Sequence, residues 1–245
     1  GAYLTCLARE EMIKKFIDKL LGKSPAALAR KQPKFGKRVD VPVEVHGIDP
    51  NLVDERAINV VRTLHAAGFE AYVVGGAVRD LLVGLRPKDF DVATNATPED
   101  VRRVFRRARI IGRRFRLVHV MFGDETVEVS TFRRMIDAVD AQTDDHGRLL
   151  RDNEFGDQGQ DAARRDFTAN ALFYDPSTQE IFDFHHGYAD IRAKLLRMIG
   201  DPATRYREDP VRMLRAVRLS AKLGMKLEAA TAEPIFSMKG LLGNV

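Results

Sequence analysis

Two features thirteen residues apart constrain this chain most: an apolar run, Tyr72-Val73-Val74, that stops at Gly75-Gly76, and the acidic stretch Lys88-Asp89-Phe90-Asp91-Val92. The first reads as a buried strand ended by a turn in which glycine lets the backbone come close to another group. The interval fits one short helix, Ala77 to Val83, stopped by Gly84, and a returning strand, Phe90 to Ala93. Side chains alternate along that strand, so Asp89 and Asp91 share one face and Phe90 takes the other.

The flanking sequence extends this unit. Ala57, Ile58, Val61 and Leu64 form the apolar stripe of a helix that begins after Asp54 and stops at Gly68. Thr97-Pro98-Glu99-Asp100 places an N-cap before a proline at the first helical position, so a helix starts there and carries much of the arginine cluster that follows. Leu117 to Phe122 and Thr126 to Thr131, separated by Gly123-Asp124, read as a hairpin. The predicted class is α+β: a small mixed sheet with helices, ending near Phe132 and followed by a mainly helical region.

Four stretches are expected. Residues 1–50 read as a basic, flexible leader, with Met12, Ile13, Phe16, Ile17, Leu20 and Leu21 at helical spacing among lysines, then a proline-punctuated linker. That amphipathic stretch suits weak contact with membrane or RNA, and the folded boundary is expected near Ile48. Residues 51–135 hold the sheet. Residues 136–163 read as a loop or irregular insertion. Residues 164–245 complete the sheet-bearing unit and continue into helices, with a hairpin at Leu172 to Phe184, a helix at Ile191 to Leu196, and a helix from Pro210 capped by Asp209.

Forty basic and thirty-five acidic residues give a formal charge of +5 and a pI near 9.4, a balance that favours a polyanionic partner. Eight arginines lie between Arg102 and Arg116. The stretch reads as a phosphate-facing surface, with Arg102, Arg103, Arg106, Arg107, Arg113 and Arg114 as its candidates; the resemblance described below implies RNA as the polyanion. The one cysteine, Cys6, excludes an internal disulfide framework and fits a reducing, cytoplasmic compartment. No apolar run reaches the roughly 18–20 residues needed to span a bilayer.

Paired carboxylates on one strand face are costly to bury without cations, and hard oxygen donors suit Mg²⁺. Glu128, inside the apolar strand Val127-Glu128-Val129, is the candidate third carboxylate beside Asp89 and Asp91. Two metal ions held there could activate an attacking hydroxyl and stabilise a leaving pyrophosphate. Gly75-Gly76, at the start of a helix, offers backbone N–H groups to a triphosphate, with Arg79 one turn inside. Arg164-Arg165-Asp166-Phe167-Thr168-Ala169-Asn170 supplies cations, a carboxylate and an amide; Arg165, Asp166 and Asn170 are the candidates for gripping phosphate and ribose. Farther on, Asp209 with Arg212, Arg215 and Arg218 offers an acceptor and donors to a base edge. The histidines, His119 included, make no case for metal ligation.

In order, Val74 to Leu82, Pro87 to Thr94, Ile111 to Val120, Glu128 to Arg133, Arg164 to Leu172 and Tyr206 to Arg218 resemble the motifs of the class II nucleotidyltransferases, the family of bacterial poly(A) polymerases and CCA-adding enzymes. The third and fourth segments look more like the poly(A) polymerase branch. The resemblance covers roughly residues 54–234 and implies a catalytic head followed by a helical neck. It implies Mg²⁺ on the matched aspartates, base reading by Asp209 and Arg212, ATP as substrate, and an RNA 3′ end as acceptor with no template. CCA addition from CTP and ATP is the nearest alternative, and a non-catalytic RNA-binding fragment is the second. The family's chains continue into further helical domains, so this sequence is expected to be truncated relative to them.

Overall fold

A computed structural model describes residues 10–17, 36–113, 115–135 and 155–244. Its strands are β1 (Val39–Val41), β2 (Ala71–Val74), β3 (Asp91–Thr94), β4 (Ala108–Ile111), β5 (Leu117–Phe122), β6 (Glu125–Thr131), β7 (Leu172–Asp175), β8 (Glu180–Asp183), β9 (Leu195–Leu196) and β10 (Lys226–Leu227). The α-helices are α1 (Val43–His46), α2 (Glu55–Ala66), α3 (Gly76–Leu82), α4 (Pro98–Val104), α5 (Gln158–Ala163), α6 (Gly187–Arg192), α7 (Pro202–Glu208), α8 (Val211–Leu223) and α9 (Ala229–Met238).

Among the described residues, β1 to β8 form one sheet in the order β1-β8-β7-β2-β3-β6-β5-β4. Its neighbours are antiparallel except β3 and β6, which run parallel. The chain between these two crosses over through α4 and then forms the β4–β5 edge, so β6 returns beside β3 in the same direction.

One sheet face is covered by helices. Val60, Val61 and Leu64 of α2, Val78 of α3 and Val101 of α4 meet Val73, Val92, Val118, Val127 and Val129 in the main core. Local signals fix these helices: Asp54 accepts from the Arg56 N–H, Thr97 and Asp100 form a reciprocal capping box, and Gly68 takes φ 88° where α2 ends. The opposite face is divided. Over β2, β7 and β8 it carries an aromatic cluster of Tyr72, Phe132, Phe173 and Phe182 with Ala162 of α5. Over β3, β6, β5 and β4 it is open among the described residues, with Asp91 and Arg109 exposed and Glu128 and His119 half-buried.

The α+β class holds, while several elements differ from the sequence expectation. The fold starts well before Ile48: β1 pairs with β8, Val41 is fully buried, and α1 follows. The strand is too short to show periodicity, and the strand that buries it lies far along the chain. The described turns of the leader are helical, with Ile13 buried and the Phe16 ring edge-on to Tyr188 at 6.3 Å. Part of their apolar face therefore meets the protein; Leu20 and Leu21 lie outside the described residues. The helix expected to carry the arginines ends at Val104, because the chain turns into β4 and pairs with β5. The sheet does not end near Phe132, since the hairpin β7–β8 enters it beside β2. Within the expected loop, 136–154 lie outside the described residues and Gln158–Ala163 is helical. The expected helix at Ile191 to Leu196 is instead the end of α6 followed by β9, which pairs with β10. Asp209 ends α7, and Pro210 is the N-cap of α8.

No helix among the described residues is long and apolar enough to cross a membrane. If β1 belongs to the fold, Val41→Ala costs about 2 kcal/mol of unfolding free energy, measured by urea denaturation; a change within about 0.5 kcal/mol, typical of an exposed linker, contradicts it.

Candidate active site

β3 begins at Asp91; of the two residues before it, Phe90 is buried in the main core and Asp89, like Asp91, is exposed. The parallel register Val92↔Val129 sets Asp91 level with Glu128, one residue earlier on each strand. Solvent reaches Asp91, yet protein crowds its carboxyl: burial first, then Glu128, with Asp89 adding, pushes its pKa up to about 6, and Arg165 opposes the shift. Glu128 Oε2 lies 3.7 Å from His119 Nε2. Among the described residues no three His, Cys, Asp or Glu side chains form a group able to hold a metal ion. The three carboxylates predicted as ligands are thus neighbours that do not close into a cage. Mg²⁺ asks for less, commonly one or two carboxylates completed by water and phosphate oxygens. The unbalanced negative charge around Asp91 is the kind such a cation relieves, so the donor chemistry of Asp89 and Asp91 fits magnesium.

The glycine turn lies at the end of β2, whose last residue, Val74, pairs with Asp91. Gly75 takes φ 71° and ψ −133°, a backbone shape that L side chains rarely adopt. Its own N–H donates to the Leu172 carbonyl at 3.3 Å, which removes one donor that the sequence assigned to phosphate. The first N–H groups of α3 still lack intrahelical acceptors. A side chain at Gly75 would begin 3.5 Å from Arg165 Nη1, so this guanidinium adjoins the turn.

Arg79, expected beside phosphate, is held by the protein itself. It is 7% exposed, and its guanidinium donates to Asp80 Oδ1 and, at 2.7 Å, to Asn170 Oδ1. Asn170 Nδ2 donates to Asp166 Oδ1 at 3.0 Å, and Asp166 Oδ2 accepts from Arg215 Nε at 2.8 Å. Arg79, Asn170, Asp166 and Arg215 therefore form one line of bonds from α3 to α8. Burial alone would raise the Asp166 pKa; Arg215 and Asn170 reverse that and hold it below the ordinary carboxylate range.

A second buried carboxylate, Asp161, was missed in the sequence. It is 0% exposed and accepts from Arg165 Nη2 at 3.0 Å, Arg164 Nε at 2.9 Å and the Arg133 N–H at 3.1 Å. Burial pushes its pKa up, but Arg165 and Arg164 outweigh this and lower it. Two guanidinium groups on one carboxylate leave positive charge over, beside Gly75 and facing Asp91. Buried Arg205 fixes the backbone of the pair, donating to the carbonyls of Arg164 and Arg165 at 2.7 Å each. A signal was present: Asp157-x-x-Gln160 is a capping box, and the helix it starts puts Arg164 and Arg165 three and four residues after Asp161.

At the start of α8, Asp209 Oδ1 accepts from the Val211 N–H, and Arg212 Nη1 donates to Glu208 Oε2 and to the Arg205 carbonyl. Arg218 is exposed and joins none of these contacts. Arg102, Arg103, Arg106, Arg107 and Arg113 are exposed and spread over the end of α4, the turn after it and the loop after β4, not along one helix; Arg114 lies outside the described residues. His185 is buried within the fold, 2% exposed.

Comparison with known proteins agrees with this geometry. A family model, the Poly A polymerase head domain, matches residues 71–197. Poly(A) polymerase I of Escherichia coli O157:H7 is 52% identical over 210 residues, covering 84% of this chain and 45% of that protein. The CCA-adding enzyme of Bacillus subtilis is 39% identical over 190 residues, covering 78% and 46%. Among solved structures, the Bacillus stearothermophilus CCA-adding enzyme in complex with CTP superimposes with a TM-score of 0.65 at 36% identity, over 78% of this chain and 45% of that one. The chain spans about half the length of the curated relatives it matches.

Asp161→Asn leaves two arginines without their buried counter-charge and is expected to cost about 3–5 kcal/mol at pH 7. Because the folded-state pKa is depressed, the wild-type advantage exists above the unfolded value near 3.8 and fades as pH falls through and below it. Denaturant titrations of both proteins from pH 7 down to 3 check this; a gap that stays constant with pH contradicts the ion-pair assignment.

Proposed function

The chain belongs to the poly(A) polymerase head-domain family, and from that premise we propose that it transfers AMP from ATP to the 3′ end of RNA without a template, releasing pyrophosphate. What carries the proposal is the polarity of the site, with Asp89, Asp91 and Glu128 on one side and Arg165 beside the Gly75 turn on the other. Polyphosphate suits the second side, where a guanidinium and free helix N–H groups meet. Asp89 and Asp91 are the residues that would hold Mg²⁺, whose chemistry when bound is to ease ionisation of the attacking hydroxyl and offset charge on the leaving group.

In the transfer itself, the RNA 3′ oxygen bonds to the α-phosphorus of ATP as the bond from that phosphorus to the α–β bridging oxygen breaks. The bridging oxygen leaves with its electron pair as part of pyrophosphate, and the hydroxyl proton passes to water. The chain's own contribution is placement. Arg165, anchored by Asp161, holds the phosphates. Asp209 Oδ2 and Arg212 Nη2, which have no hydrogen-bond partners among the described residues, are available to the adenine edge. Asp166 and Arg215 keep that edge of α8 at a set distance from the glycine turn. Asn170 and Arg79 support Asp166 from behind, and Arg218 and the exposed arginines after α4 suit the RNA backbone. The single cysteine fits a cytoplasmic setting.

CCA addition is the second reading, favoured by the likeness to CCA-adding enzymes; the higher identity to poly(A) polymerase I, 52% against 39%, favours the first. Incubating the protein and RNA with Mg²⁺ and each nucleotide separately is expected to give long tails with ATP alone. A short addition that needs CTP and then ATP selects the second reading, and RNA binding with no extension at all reduces the chain to a binding module. Asp89→Ala and Asp91→Ala should each lower AMP incorporation by more than about 100-fold while RNA binding persists, and chelation by EDTA should abolish the wild-type reaction until Mg²⁺ is restored. Undiminished incorporation in either variant removes the metal assignment.

A further inference from the structure

The open half of the sheet face carries a row of side chains set by register alone. Asp91 is level with Glu128, Glu128 pairs with His119 on β5, and His119 pairs with Arg109 on β4. Directly opposed residues in a sheet share a face, so acid, acid, imidazole and guanidinium follow one another across four strands. With strands about 4.8 Å apart, His119 stands about 10 Å and Arg109 about 14 Å from Asp91. That span is on the scale of the terminal nucleotides of an RNA strand.

The two outer members lack a structural employment that uses them up. Arg109 is exposed and has no ion-pair partner among the described residues, whereas nearby Arg103 and Arg116 are paired with Asp100 and Glu99. His119 reaches Glu128 only at 3.7 Å and is 34% exposed, so much of its ring faces the open surface. Behind them the strand pair is held by Val118, Val120 and Ile110 in the main core, which makes the platform rigid.

Resting on the nucleotidyl-transfer reading above, we propose that His119 and Arg109 position the RNA primer. Arg109 grips the last internucleotide phosphate through its planar fork of donors, and His119 contacts the terminal ribose between that phosphate and the carboxylates. Together they lay the 3′ end along the row, so that its hydroxyl arrives at Asp91 and Glu128 while ATP enters from the Gly75 side. The row also excludes a simple electrostatic trap: a phosphate is attracted to Arg109 and repelled by Glu128, so the strand is held at a distance that leaves only its hydroxyl end among the acids.

The test uses the whole 245-residue chain and an RNA oligonucleotide with a photoreactive 3′-terminal base. Arg109→Ala is expected to raise the KM for primer about tenfold, the effect of one lost charge-assisted contact, and to reduce the slope of RNA affinity against salt by about one, leaving the KM for ATP unchanged. Arg109→Lys should restore the salt slope and part of the affinity. His119→Ala is expected to remove the crosslink between the 3′ base and the β5 peptide, and His119→Gln to retain it in part. An unchanged primer KM and salt slope in Arg109→Ala, or an equal rise in the KM for ATP, overturns the role of Arg109. A persistent crosslink in His119→Ala, even with activity lost, shows that His119 only props Glu128 and overturns its role. Should the wild-type chain bind RNA and add no nucleotide, the transfer reading fails on its own, and the crosslink and salt slope still decide whether this row holds the strand.

Discussion

Asp91 and Glu128 stand side by side because β3 and β6 run parallel, and two like charges at one level of a sheet repel each other. Neither residue can move away without disturbing the core. Phe90, Val92, Val127 and Val129 point into the apolar layer under α2 and α4, and a slip of one residue in either strand would turn that set toward solvent. Hydrophobic alternation therefore fixes the position of the charges, and the electrostatic cost is carried by the packing. Arg165 lowers the affinity of Asp91 for a proton, but it is itself bonded to Asp161 and balances the pair only in part. The site has an excess of negative charge on the strands and of positive charge at the turn, and the proposed nucleoside triphosphate with its cation would complement both.

Placement of the second half of the site depends on Asp166. One of its oxygens takes the Phe167 N–H and the Asn170 amide, and the other takes Arg215, so every strong acceptor position has a partner. A carboxylate so fully bonded in a buried position has little freedom to change its geometry. It therefore works as a strut between the turn at Gly75 and the start of α8. Arg205 reinforces the same joint from α7, bonding to the backbone of Arg164 and Arg165 and to Glu208, which in turn holds Arg212. Residues that the sequence presented as one group of ligands divide by burial into two kinds. Arg79 and Asn170 are buried and bonded within the protein; Arg165, Asp209 and Arg212 are half-buried and are the side chains that the proposed nucleotide would meet.

Much of this was legible in the sequence for a physical reason. A glycine pair after a strand and alternating acids on the next strand are local patterns, and the backbone alone turns them into geometry. The capping box of α4 and the hairpin of β5 and β6 are local in the same sense. What escaped was non-local. Val39–Val41 is a strand only because β8 pairs with it, and the β7–β8 hairpin joins the sheet only because β2 leaves an edge for it. Asp161 looked like one acid in a polar stretch, since its value comes from two arginines that the helix brings round to it. Arg109 looked like one of eight arginines, and its register with His119 depends on a strand that arginine content disguised.

The divided face of the sheet connects stability to function. Over β2, β7 and β8, five aromatic rings pack edge-on or stacked at 5.3 to 6.2 Å, and α5 closes over them. Such contacts add to the burial they accompany and leave that half stiff. Among the described residues the other half of the same face has no such cover, although the backbone beneath it is the same continuous sheet. An open sheet face lined with Asp, Glu, His and Arg gains little from being buried against protein and is well solvated as it stands. The covered half and the open half join at β2 and β3, which are neighbours in the ladder. On the primer-binding proposal, the reacting end of a long, flexible polymer would then be received on a surface that does not have to reorganise, because the order it needs is already present in the strands behind it.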